Sequence, residues 1–532
     1  MKTPSFFLLL SLCLGACAGG KSFDGKSLDD CPEVADFRQA GNDPVLVVQL
    51  EKVKDTLNLP LSRLLDDFRI VPLDNREEAL TKGESVTACD NYVGIGGSMR
   101  EPYRLFDYEG RFLCQVGANG QGPGEYWAVY DSSVDEAHDR VYLMPWNAKS
   151  LLVYNLKGEY LSSIPLPTLV PKGVFSVDTE KRLLTVGLLP FADIDGASVV
   201  WQQDFEGNVL HRVGAAPYAV VPDFSNEVSS NRNSGDGVFD FSIFHWQASA
   251  DSLYHFLPEE NRLVPVVTLQ QPQEKIQQSY VELPGHYLID IPTGYTDTQF
   301  GTYVSQRLTV LVDKQTRKGA YVRILNDLIG GVPVEYAIFY FKHGHFAYTV
   351  EPGLLLEYVE AALAHPESLS EAQKKALEAL KARIHENDNN YLFIGKIKQD
   401  ADLSGLQKNA RSVGQENGKA QQTAVAEDTA TEEPTDTVVF YTPYIGNYQE
   451  YYRSNNRFKD WKGKEVMTMV GAVIEKDGTP RNLRIIRSCG YDELDREAIR
   501  LVEEADITPA TNEAKQPVRC TNFAAPVYFP PR

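Results

Sequence analysis

The sequence predicts a mainly β protein, in which a β-propeller of six blades, or alternatively seven, precedes a small α+β domain. Between residues 45 and 398, short runs of Val, Leu, Ile, Tyr and Phe are separated by Asp, Asn and Gly turns, a pattern typical of many antiparallel strands. A turn motif recurs in this region at a nearly fixed interval. After a polar stretch, the last part of the chain has the patterns of both strands and a helix.

The chain begins with the pattern of a secretory signal. Lys2 precedes an apolar run from Phe6 to Leu14, and the small residues Gly15 and Ala16 follow. The apolar run is about nine residues long, whereas a membrane-spanning helix needs roughly 20, and no later segment reaches that length. The sequence therefore predicts a cleaved signal peptide over residues 1–16.

Cys17 follows the signal directly. The tetrapeptide Leu14-Gly15-Ala16-Cys17 resembles the bacterial lipobox, and this resemblance implies that Cys17 is the lipid-bearing first residue of the mature protein. Cys13 fits less well because the bulky Leu12 precedes it. The alternative is an ordinary secretory signal that happens to contain cysteines. Two or three acyl chains would anchor the protein stably, since one chain alone binds a membrane only marginally.

Residues 17–44 are polar and contain Gly, so we expect a lipidated N-terminus and a flexible tether there. The formal net charge of -21 argues against a nucleic-acid partner, because phosphate backbones are bound by clustered Lys and Arg. The expected partners are a membrane, reached through the lipid, and protein.

The recurring motif consists of Asp or Asn, two residues, Gly, one residue, an apolar residue and Leu. Its glycines are Gly110, Gly158 and Gly207, which are 48 and 49 residues apart. Each copy predicts a hairpin whose Gly supplies a positive φ. A looser copy surrounds Gly319, and the copy expected near residues 258–262 has lost its Gly. A period of about 50 residues with four strands is typical of a propeller blade, so residues 45–398 hold six or seven blades.

A glycine-rich segment interrupts this pattern at Gly117, Gly120, Gly122, Pro123, Gly124 and Glu125. Phosphate binding is disfavoured because no helix with an open N-terminus follows. The segment from Val116 to Tyr126 resembles the six-bladed propeller lipoproteins related to NHL repeats, which implies a structural motif. The resemblance extends over about residues 57–398 and is weak in the middle blades. Within it we expect a helical insertion at about residues 353–385.

That insertion is clearest from Ser370 onward. Ser370 and Gln373 are placed as a capping box. The following apolar residues lie at helical spacing and predict a packed stripe. They are Ala376, Leu377, Leu380 and Ile384.

Residues 399–437 predict a flexible linker, and residues 438–532 predict a second domain. Val466 to Ile474 suits a strand, Asp477-Gly478 is a hairpin turn signal, and a return strand is expected at Leu483 to Ile486. Asp492 is expected to cap a helix whose apolar face contains Leu494, Ala498, Leu501, Val502 and Ala505. A last strand is expected within residues 518–529.

This order resembles the C-terminal domain of TonB, the periplasmic energy transducer, over about residues 451–529. The matching segments include Leu494-Asp495-Arg496-Glu497-Ala498 and Pro526-Val527-Tyr528-Phe529. The resemblance implies binding of an extended peptide or an envelope protein at a sheet edge. Two departures stand out: Ile507-Thr508 replaces the usual Trp before Pro509-Ala510, and the chain lacks the transducer's inner-membrane helix and Pro-rich spacer. We therefore expect recognition rather than force transmission.

No catalytic site, metal site or cofactor is predicted. His343-Gly344-His345 has no third ligand nearby, and the turns at residues 193–196 and 387–389 lack the rest of a calcium loop. No nucleophile motif occurs, although propeller enzymes gather their side chains from several blades. Cys489 and Cys520 could form a disulfide in an exported protein, and the favoured alternative is two buried free thiols.

These observations lead to a first hypothesis of a lipid-anchored, non-enzymatic binding or scaffold protein of the cell envelope. We expect it on the outer membrane, facing the periplasm. The alternative is a hydrolase or lyase that acts on a glycan or peptide in the propeller channel. A third hypothesis is a sensor or scaffold for nutrient uptake at the surface.

Overall fold

The computed structural model describes residues 25–83, 85–96, 101–191, 198–220, 225–235, 237–245, 252–270, 277–298, 301–366, 369–408, 444–445, 448–463, 466–487, 489, 491–511, 517–518 and 520–530. It divides into two compact units, Met1–Ile291 with Leu308–Glu416 and Pro292–Arg307 with Asn417–Arg532. We call them the N-terminal and C-terminal units. No helix of the described residues combines the length and the apolar character that a membrane span requires.

Among the described residues before position 409, six sheets of four or more strands occur, numbered here sheet 1 to sheet 6. Sheets 1, 2 and 3 are each built from four strands that follow one another along the chain. Sheet 1 contains Ser85–Ala88, Tyr92–Gly96, Tyr103–Asp107 and Phe112–Val116. Sheet 2 contains Val129–Asp135, Arg140–Pro145, Ala148–Tyr154 and Tyr160–Val170. Sheet 3 contains Gly173–Asp178, Leu183–Leu188, Ser198–Asp204 and Val209–Gly214.

The other three sheets also receive strands from the N-terminal part of the chain. Sheet 4 contains Glu227–Ser229, Asp240–Phe244, Ser252–Leu257, Arg262–Leu269, Asp43–Val48 and Ala35–Ala40. Sheet 5 contains Ser279–Glu282, His286–Thr298, Gly301–Asp313, Gly319–Asn326, Thr56–Pro60, Leu406–Lys408 and Gly25–Lys26, and Val332–Pro333 pairs with Gly319–Asn326. Sheet 6 contains Phe341–Lys342, His345–Val350, Tyr391–Ile397 and Leu65–Pro72. The strand Leu65–Pro72, which precedes sheet 1 in the sequence, therefore completes the last sheet.

Each sheet shares a buried apolar core with the next, and sheet 6 shares one with sheet 1. The side chains in these cores are fully or nearly fully buried, and each such burial stabilises the fold by about 1.5 to 3 kcal/mol. One pair from each shared core is Val116 and Val141, Leu151 and Leu184, Val200 and Phe241, Leu253 and Ile289, Leu311 and Phe346, and Ile394 and Ile95. The six sheets thus follow one another around a closed circuit.

Polar contacts cross the same six junctions. They are Thr87 to Ser132 at 2.8 Å, Phe175 N to Asp131 at 3.0 Å, Arg212 N to Asn261 at 2.7 Å, His255 to Glu282 at 2.6 Å, Asn326 to Tyr348 at 2.8 Å, and Arg69 to the Tyr108 carbonyl at 3.0 Å. Because most of these contacts are buried or half-buried, they fix the register between sheets as well as their distance.

The repeated motif forms the turn between the third and fourth strands of sheets 1, 2 and 3, as the sequence predicts. In sheet 2, Asn155 Oδ1 accepts the N–H groups of Lys157 and Glu159, at 3.0 and 2.9 Å. Gly158 has a φ of +81°, and a Cβ there would lie 2.1 Å from the carbonyl oxygen of Gln115 in sheet 1. The glycine is therefore needed for the turn and also for the close approach of two sheets. Asn261 replaces it in sheet 4, with a φ of 51°.

Two predicted boundaries are wrong. Residues 25–44, expected within the tether, include strands of sheets 4 and 5, and Val34 and Ala35 are 0% exposed. The expected linker from residue 399 includes the strand Leu406–Lys408, and Leu403 is buried. A strand added to a sheet edge needs only a few apolar residues, so the polar composition of these segments concealed it.

Helices are few among the described residues of the N-terminal unit. A short helix spans Leu61–Leu64, and the predicted insertion contains two helices, Pro352–Ala364 and Glu371–Lys381. The capping box of Ser370 and Gln373 is confirmed. Leu377, Leu380 and Ile384 are buried as expected and Ala376 is half-buried, so the stripe serves packing. Single 3-10 turns lie at Leu28–Asp30, Leu50–Lys52, Glu77–Ala79, Glu136–His138, Ala216–Tyr218, Pro258–Glu260, Asp327–Ile329 and Ala337–Tyr340.

The C-terminal unit contains a three-stranded antiparallel sheet with the strand order Pro480–Arg487, Val466–Ile474, Cys520–Phe529. The helix Asp492–Glu503 buries Leu494, Ala498, Leu501 and Val502 against it, which confirms the predicted apolar face. A second helix spans Tyr448–Asn455. Two short pairs of strands complete the unit, Tyr444–Ile445 with Ile507–Thr508 and Ala510–Thr511 with Pro517–Val518.

The predicted cap of the longer helix is wrong. Tyr491 occupies the N-cap position without a side-chain hydrogen bond, and Asp492 is the first helical residue. The predicted hairpin turn is confirmed, because Gly478 has a φ of +87° and the backbone N–H of Glu475 donates to the carbonyl oxygen of Thr479 at 2.9 Å.

Candidate functional site

Five ionisable residues from three sheets meet in the N-terminal unit, and we call them the central polar cluster. They are Asp131, Arg232, Asp240, Lys342 and His343. Asp131 lies on the first strand of sheet 2 and Lys342 on the first strand of sheet 6. Asp240 begins the second strand of sheet 4, and Arg232 lies in the segment before it. His343 lies in the tight turn between the first two strands of sheet 6.

Asp131 is the centre of the cluster. Its side chain is 1% exposed, and its Oδ1 accepts a hydrogen bond from Lys342 Nζ at 2.5 Å. Its Oδ2 accepts from the backbone N–H of Phe175 at 3.0 Å and lies 3.9 Å from Arg232 Nη2. One carboxylate therefore connects sheets 2, 3, 4 and 6.

Asp240 holds the segment that carries Arg232. Its carboxylate accepts from Ser230 Oγ at 3.1 Å, from Asn231 N at 2.9 Å and from Arg232 N at 2.8 Å. Arg232 is kept at a φ of 54°, in the left-handed region that non-glycine residues rarely adopt. Its guanidinium donates to Nε2 of His343. Asp240 therefore holds the backbone of this segment, and His343 holds the side chain of Arg232.

Burial shifts the pKa values of this cluster. Burial raises the pKa of Asp240 above its ordinary value, although the N–H groups of Asn231 and Arg232 oppose the shift. Burial also lowers the pKa of Arg232, against the attraction of Asp131 and Asp240. For His343, burial and the neighbouring cations Arg232 and Lys342 hold the pKa well below its ordinary value. The imidazole is therefore neutral at pH 7 and accepts from Arg232.

A second buried cation lies between sheets 2, 3 and 4. Lys172 is 0% exposed, and its ammonium donates to Glu227 Oε1 at 2.5 Å and to the Asn226 carbonyl at 2.9 Å. The same ammonium lies 4.9 Å from the centre of the Trp146 ring, a cation–π contact. Tyr130 donates its hydroxyl to Glu227 Oε2 at 2.6 Å. Both oxygens of Glu227 are engaged, although its side chain is 48% exposed.

The arrangement can join sheets but does not present a free acid and base. Every carboxylate in these two groups accepts from a cation, a hydroxyl or backbone N–H groups. No group of three or more His, Cys, Asp or Glu side chains in the described residues is placed to hold a metal ion. The charged groups of these two sites take part in charge pairing and hydrogen bonding within the protein.

The glycine-rich segment forms a turn at the junction of sheets 1 and 2. Ala118–Asn119 pairs in parallel with Glu125–Tyr126, and the carboxylate of Glu125 accepts from Gly122 N at 2.8 Å. Gly117 and Gly124 have φ values of +66° and +72°. The segment continues into the strand Val129–Asp135 and not into a helix.

Of the remaining predicted positions, His343 belongs to the central polar cluster and the others lie apart from it. Cys17 and residues 193–196 lie outside the described residues. Cys489 is half-buried and the side chain of Cys520 is not described, so the candidate disulfide stays a prediction. His343 and His345 flank a Gly with a φ of +74°, and His345 Nδ1 bonds to the carbonyl of His343 at 3.0 Å. Asp388 accepts from Asn75, His385 and Tyr391, which fixes its turn.

Sequence reasoning singled out His343 but missed Lys172 and the other four members of the central polar cluster. The available signal was a charged residue inside an apolar run, such as Lys172 in Leu169-Val170-Pro171-Lys172-Gly173-Val174-Phe175. The spacing of residues in the sequence could not identify the partners of these charged residues, because Lys342 and Asp131, for example, are 211 positions apart.

The comparisons with known proteins concern both units. Residues 461–531 match the C-terminal domain of the Gram-negative bacterial TonB protein, which confirms the predicted resemblance. The chain matches none of the curated proteins.

Several solved structures are similar at low identity. An exported protein of Bacteroides fragilis is 13% identical, with a TM-score of 0.43, and the match covers 64% of this chain and 100% of that one. A member of the DUF4221 family from Bacteroides vulgatus is 11% identical, with a TM-score of 0.38, over 63% of this chain and 98% of that one. Residues 45–396, more than half of the sequence, match a further family, and the chain therefore belongs to the family described as domain of unknown function DUF4934.

Proposed function

We propose that this protein is a lipid-anchored envelope protein that binds and positions other proteins without catalysing a reaction. In this proposal the N-terminal unit is a six-bladed β-propeller that offers a recognition face, and the C-terminal unit docks on a periplasmic or outer-membrane protein. The match of residues 461–531 to the TonB C-terminal domain carries the proposal, because that domain type is a binding module of the Gram-negative envelope.

Three features support the propeller. Five of the six sheets contain four strands that are consecutive in the sequence, and sheet 6 contains three. Apolar cores join each sheet to the next and the last to the first. The early strand Leu65–Pro72 completes sheet 6, a closure that ties the two ends of a circular array together.

The state of the charged groups supports a binding role over the alternative of a hydrolase or lyase. A glycosidase needs two carboxyl groups with different and accessible protonation states. Asp131 and Asp240 are instead buried, and both are bonded to groups that hold the sheets in place. Glu227 is exposed, but Lys172 and Tyr130 occupy its oxygens.

Cross-linking in living cells tests the docking role. The full chain, cross-linked and isolated from the bacterium that makes it, should carry one envelope protein that is absent from a chain ending at Lys408. The shorter chain keeps all six sheets and serves as the matched control. Equal recovery from both chains, or no enriched envelope protein from either, would refute the proposal.

Lipidation is tested separately. Cys17→Ser should abolish incorporation of labelled palmitate and release the protein from membranes, whereas Cys13→Ser should change neither. Protease added to intact cells should leave the protein intact if it faces the periplasm. Degradation of the N-terminal unit under these conditions would place the protein on the cell surface.

A further inference from the structure

A cavity of about 280 Å³ lies in the N-terminal unit where sheet 5 meets the helical insertion. Asn58 and Leu406 line it from neighbouring strands of sheet 5, Arg63 from the short helix Leu61–Leu64, and Gln373 from the helix Glu371–Lys381. A volume of this size corresponds to about nine water molecules at about 30 Å³ each. The cavity is therefore large enough for a small metabolite and too small for a nucleotide or an oligosaccharide.

Two opposite charges line the cavity without pairing with each other. Asp327 Oδ1 accepts a hydrogen bond from the backbone N–H of Ser62 at 3.1 Å, and Arg63, the next residue, donates to the carbonyl oxygen of Ser404. Both charged side chains are half-buried, and the residues that the structure describes include no ion-pair partner for either of them. A guanidinium and a carboxylate placed in this way can each bind an opposite charge of one ligand.

Two amide side chains add neutral hydrogen-bonding groups. Oδ1 of Asn58 is buried and has no hydrogen-bond partner. A buried acceptor without a donor is costly, and the ammonium group of a ligand would supply the donor. Gln373 uses its Oε1 to accept from the backbone N–H of Ser370 at 3.0 Å, and its NH₂ group donates to no described residue. That NH₂ group is a second donor for an anionic part of a ligand.

Most of the remaining wall is apolar. Its apolar side chains belong to Pro60, Leu325, Leu369 and Leu406, and none of the residues that line the cavity is aromatic. The wall therefore offers contact to an aliphatic group but no ring on which a sugar or a base could stack. At Gly405, which also lines the cavity, an added Cβ would meet no atom within 4 Å, so space is left on this side.

We propose that this cavity binds a free α-amino acid with an aliphatic side chain of about the size of leucine. Arg63 and the NH₂ group of Gln373 bind its carboxylate, Asp327 and Asn58 Oδ1 bind its ammonium group, and the leucines cover its side chain. Leucine has about as many non-hydrogen atoms as the cavity has room for water molecules. The site lies wholly in the N-terminal unit and is independent of the docking function.

Other small ligands fit these groups less well. A phosphate or sulfate ion would bring its negative charge against the carboxylate of Asp327. An uncharged apolar molecule would cover Arg63 and Asp327 and leave both charges without a partner, which is costly. Only a ligand with both charges and an apolar part uses all the groups on the wall.

Isothermal titration calorimetry of the full chain with free L-leucine tests the assignment. We expect saturable binding of one molecule per chain. N-acetyl-L-leucine lacks the ammonium group and L-leucinamide lacks the carboxylate, so each should bind at least about tenfold more weakly. L-tryptophan, whose side chain exceeds the cavity, should not bind.

Matched substitutions locate the site. Arg63→Gln and Asp327→Asn each remove a charge and keep a hydrogen-bonding group for the backbone partner of the original residue, and each should weaken leucine binding at least about tenfold. Arg182→Gln and Asp178→Asn make the same changes at exposed ion pairs of sheet 3 and should have no effect. Leu369→Trp should abolish binding by filling the cavity. Urea unfolding checks that all five variants remain folded.

The comparison of ligands uses the native chain and so does not depend on the folding of any variant. Absence of saturable leucine binding, or equal affinities of leucine and N-acetyl-leucine, would overturn the proposal. Equal affinities of the native chain and the two variants that alter the cavity charges would do the same. If the dipeptides Leu-Gly or Gly-Leu bind as tightly as leucine, the site holds the end of a peptide, and assignment to a free amino acid is wrong.

Discussion

Two regions of the molecule, one in each unit, place their charged residues in opposite ways. Between the sheets of the N-terminal unit, Asp131 and Lys172 are almost fully buried, and each is bonded to groups from neighbouring sheets. On the outer strand Pro480–Arg487 of the C-terminal unit, Arg481 and Arg484 are exposed and have no ion-pair partner among the described residues. The buried charges therefore take part in the packing of the sheets, whereas the two arginines do not take part in the packing that the structure describes.

This difference separates two roles that a charged residue can have. Burying a charge is costly, and an ion pair in the interior is retained mainly where it fixes one arrangement over its competitors. An exposed charge contributes little to stability but can select a partner and speed association. Substitutions of the buried charged residues should therefore act on folding, and substitutions of the two exposed arginines should have little effect on folding.

The largest expected effect is that of Asp131→Ala. The change leaves the ammonium of Lys342 without its 2.5 Å partner and removes the acceptor for Phe175 N. Removing one member of a buried ion pair costs about 3 to 5 kcal/mol. Urea unfolding, followed by tryptophan fluorescence, should show a loss of this size.

Asp178→Ala is the control for this measurement. Asp178 also pairs with a lysine, Lys181, at 3.0 Å, but both side chains are exposed. Such a pair contributes about 0 to 1 kcal/mol. If the two substitutions cost the same, the central polar cluster does not hold the sheets together.

The next effect concerns a repeated glycine. In Gly158→Ala the new Cβ would lie 2.1 Å from the carbonyl oxygen of Gln115 in the neighbouring sheet, at a φ of +81°. We expect a loss of about 3 kcal/mol from the crowding and the left-handed backbone together. Gly344→Ala has a similar φ of +74° and nothing within 4 Å, so it should cost only about 1 kcal/mol. Equal losses would mean that the junction between sheets 1 and 2 adjusts freely.

A third effect is dependent on pH. Burial and the cations Arg232 and Lys342 hold the pKa of His343 well below its ordinary value, so the unfolded chain binds this proton more readily than the folded chain does. The stability that the neutral imidazole contributes is complete above about pH 6.5 and falls below it, by up to about 1.4 kcal/mol per pH unit.

Unfolding free energies measured between pH 7.5 and 5.5 test this prediction. His343→Asn removes the titrating group and should reduce the slope below pH 6.5 relative to the native chain. Acidic side chains titrate in both proteins, so the difference between the two slopes reports the histidine. Identical slopes would show that His343 does not titrate on unfolding.

Local patterns in the sequence were sufficient for much of the fold. The glycine turns at residues 110, 158 and 207, the capping box at Ser370 and the apolar face of the helix Asp492–Glu503 each depend on residues close together in the chain, and all are confirmed. The strand Leu406–Lys408 was missed because its partner, Thr56–Pro60, is distant in the sequence. The strand Ala35–Ala40 pairs with the nearby Asp43–Val48, and the two join sheet 4 only because Asp43–Val48 also pairs with the distant strand Arg262–Leu269. Most of the central polar cluster was missed because Asp131, Arg232 and Lys342 are far apart in the sequence and come into contact only when their sheets pack together.

The smallest expected effect on stability belongs to the outer strand of the C-terminal unit. Arg481→Gln combined with Arg484→Gln removes two exposed charges that no described residue pairs with, so the free energy of unfolding should change by less than about 0.5 kcal/mol. Urea unfolding of the double variant, beside that of Asp131→Ala, measures both changes on one scale. A double variant that unfolds as easily as Asp131→Ala would reverse the comparison, since the two arginines would then stabilise the fold in the same way as Lys172 and Arg232.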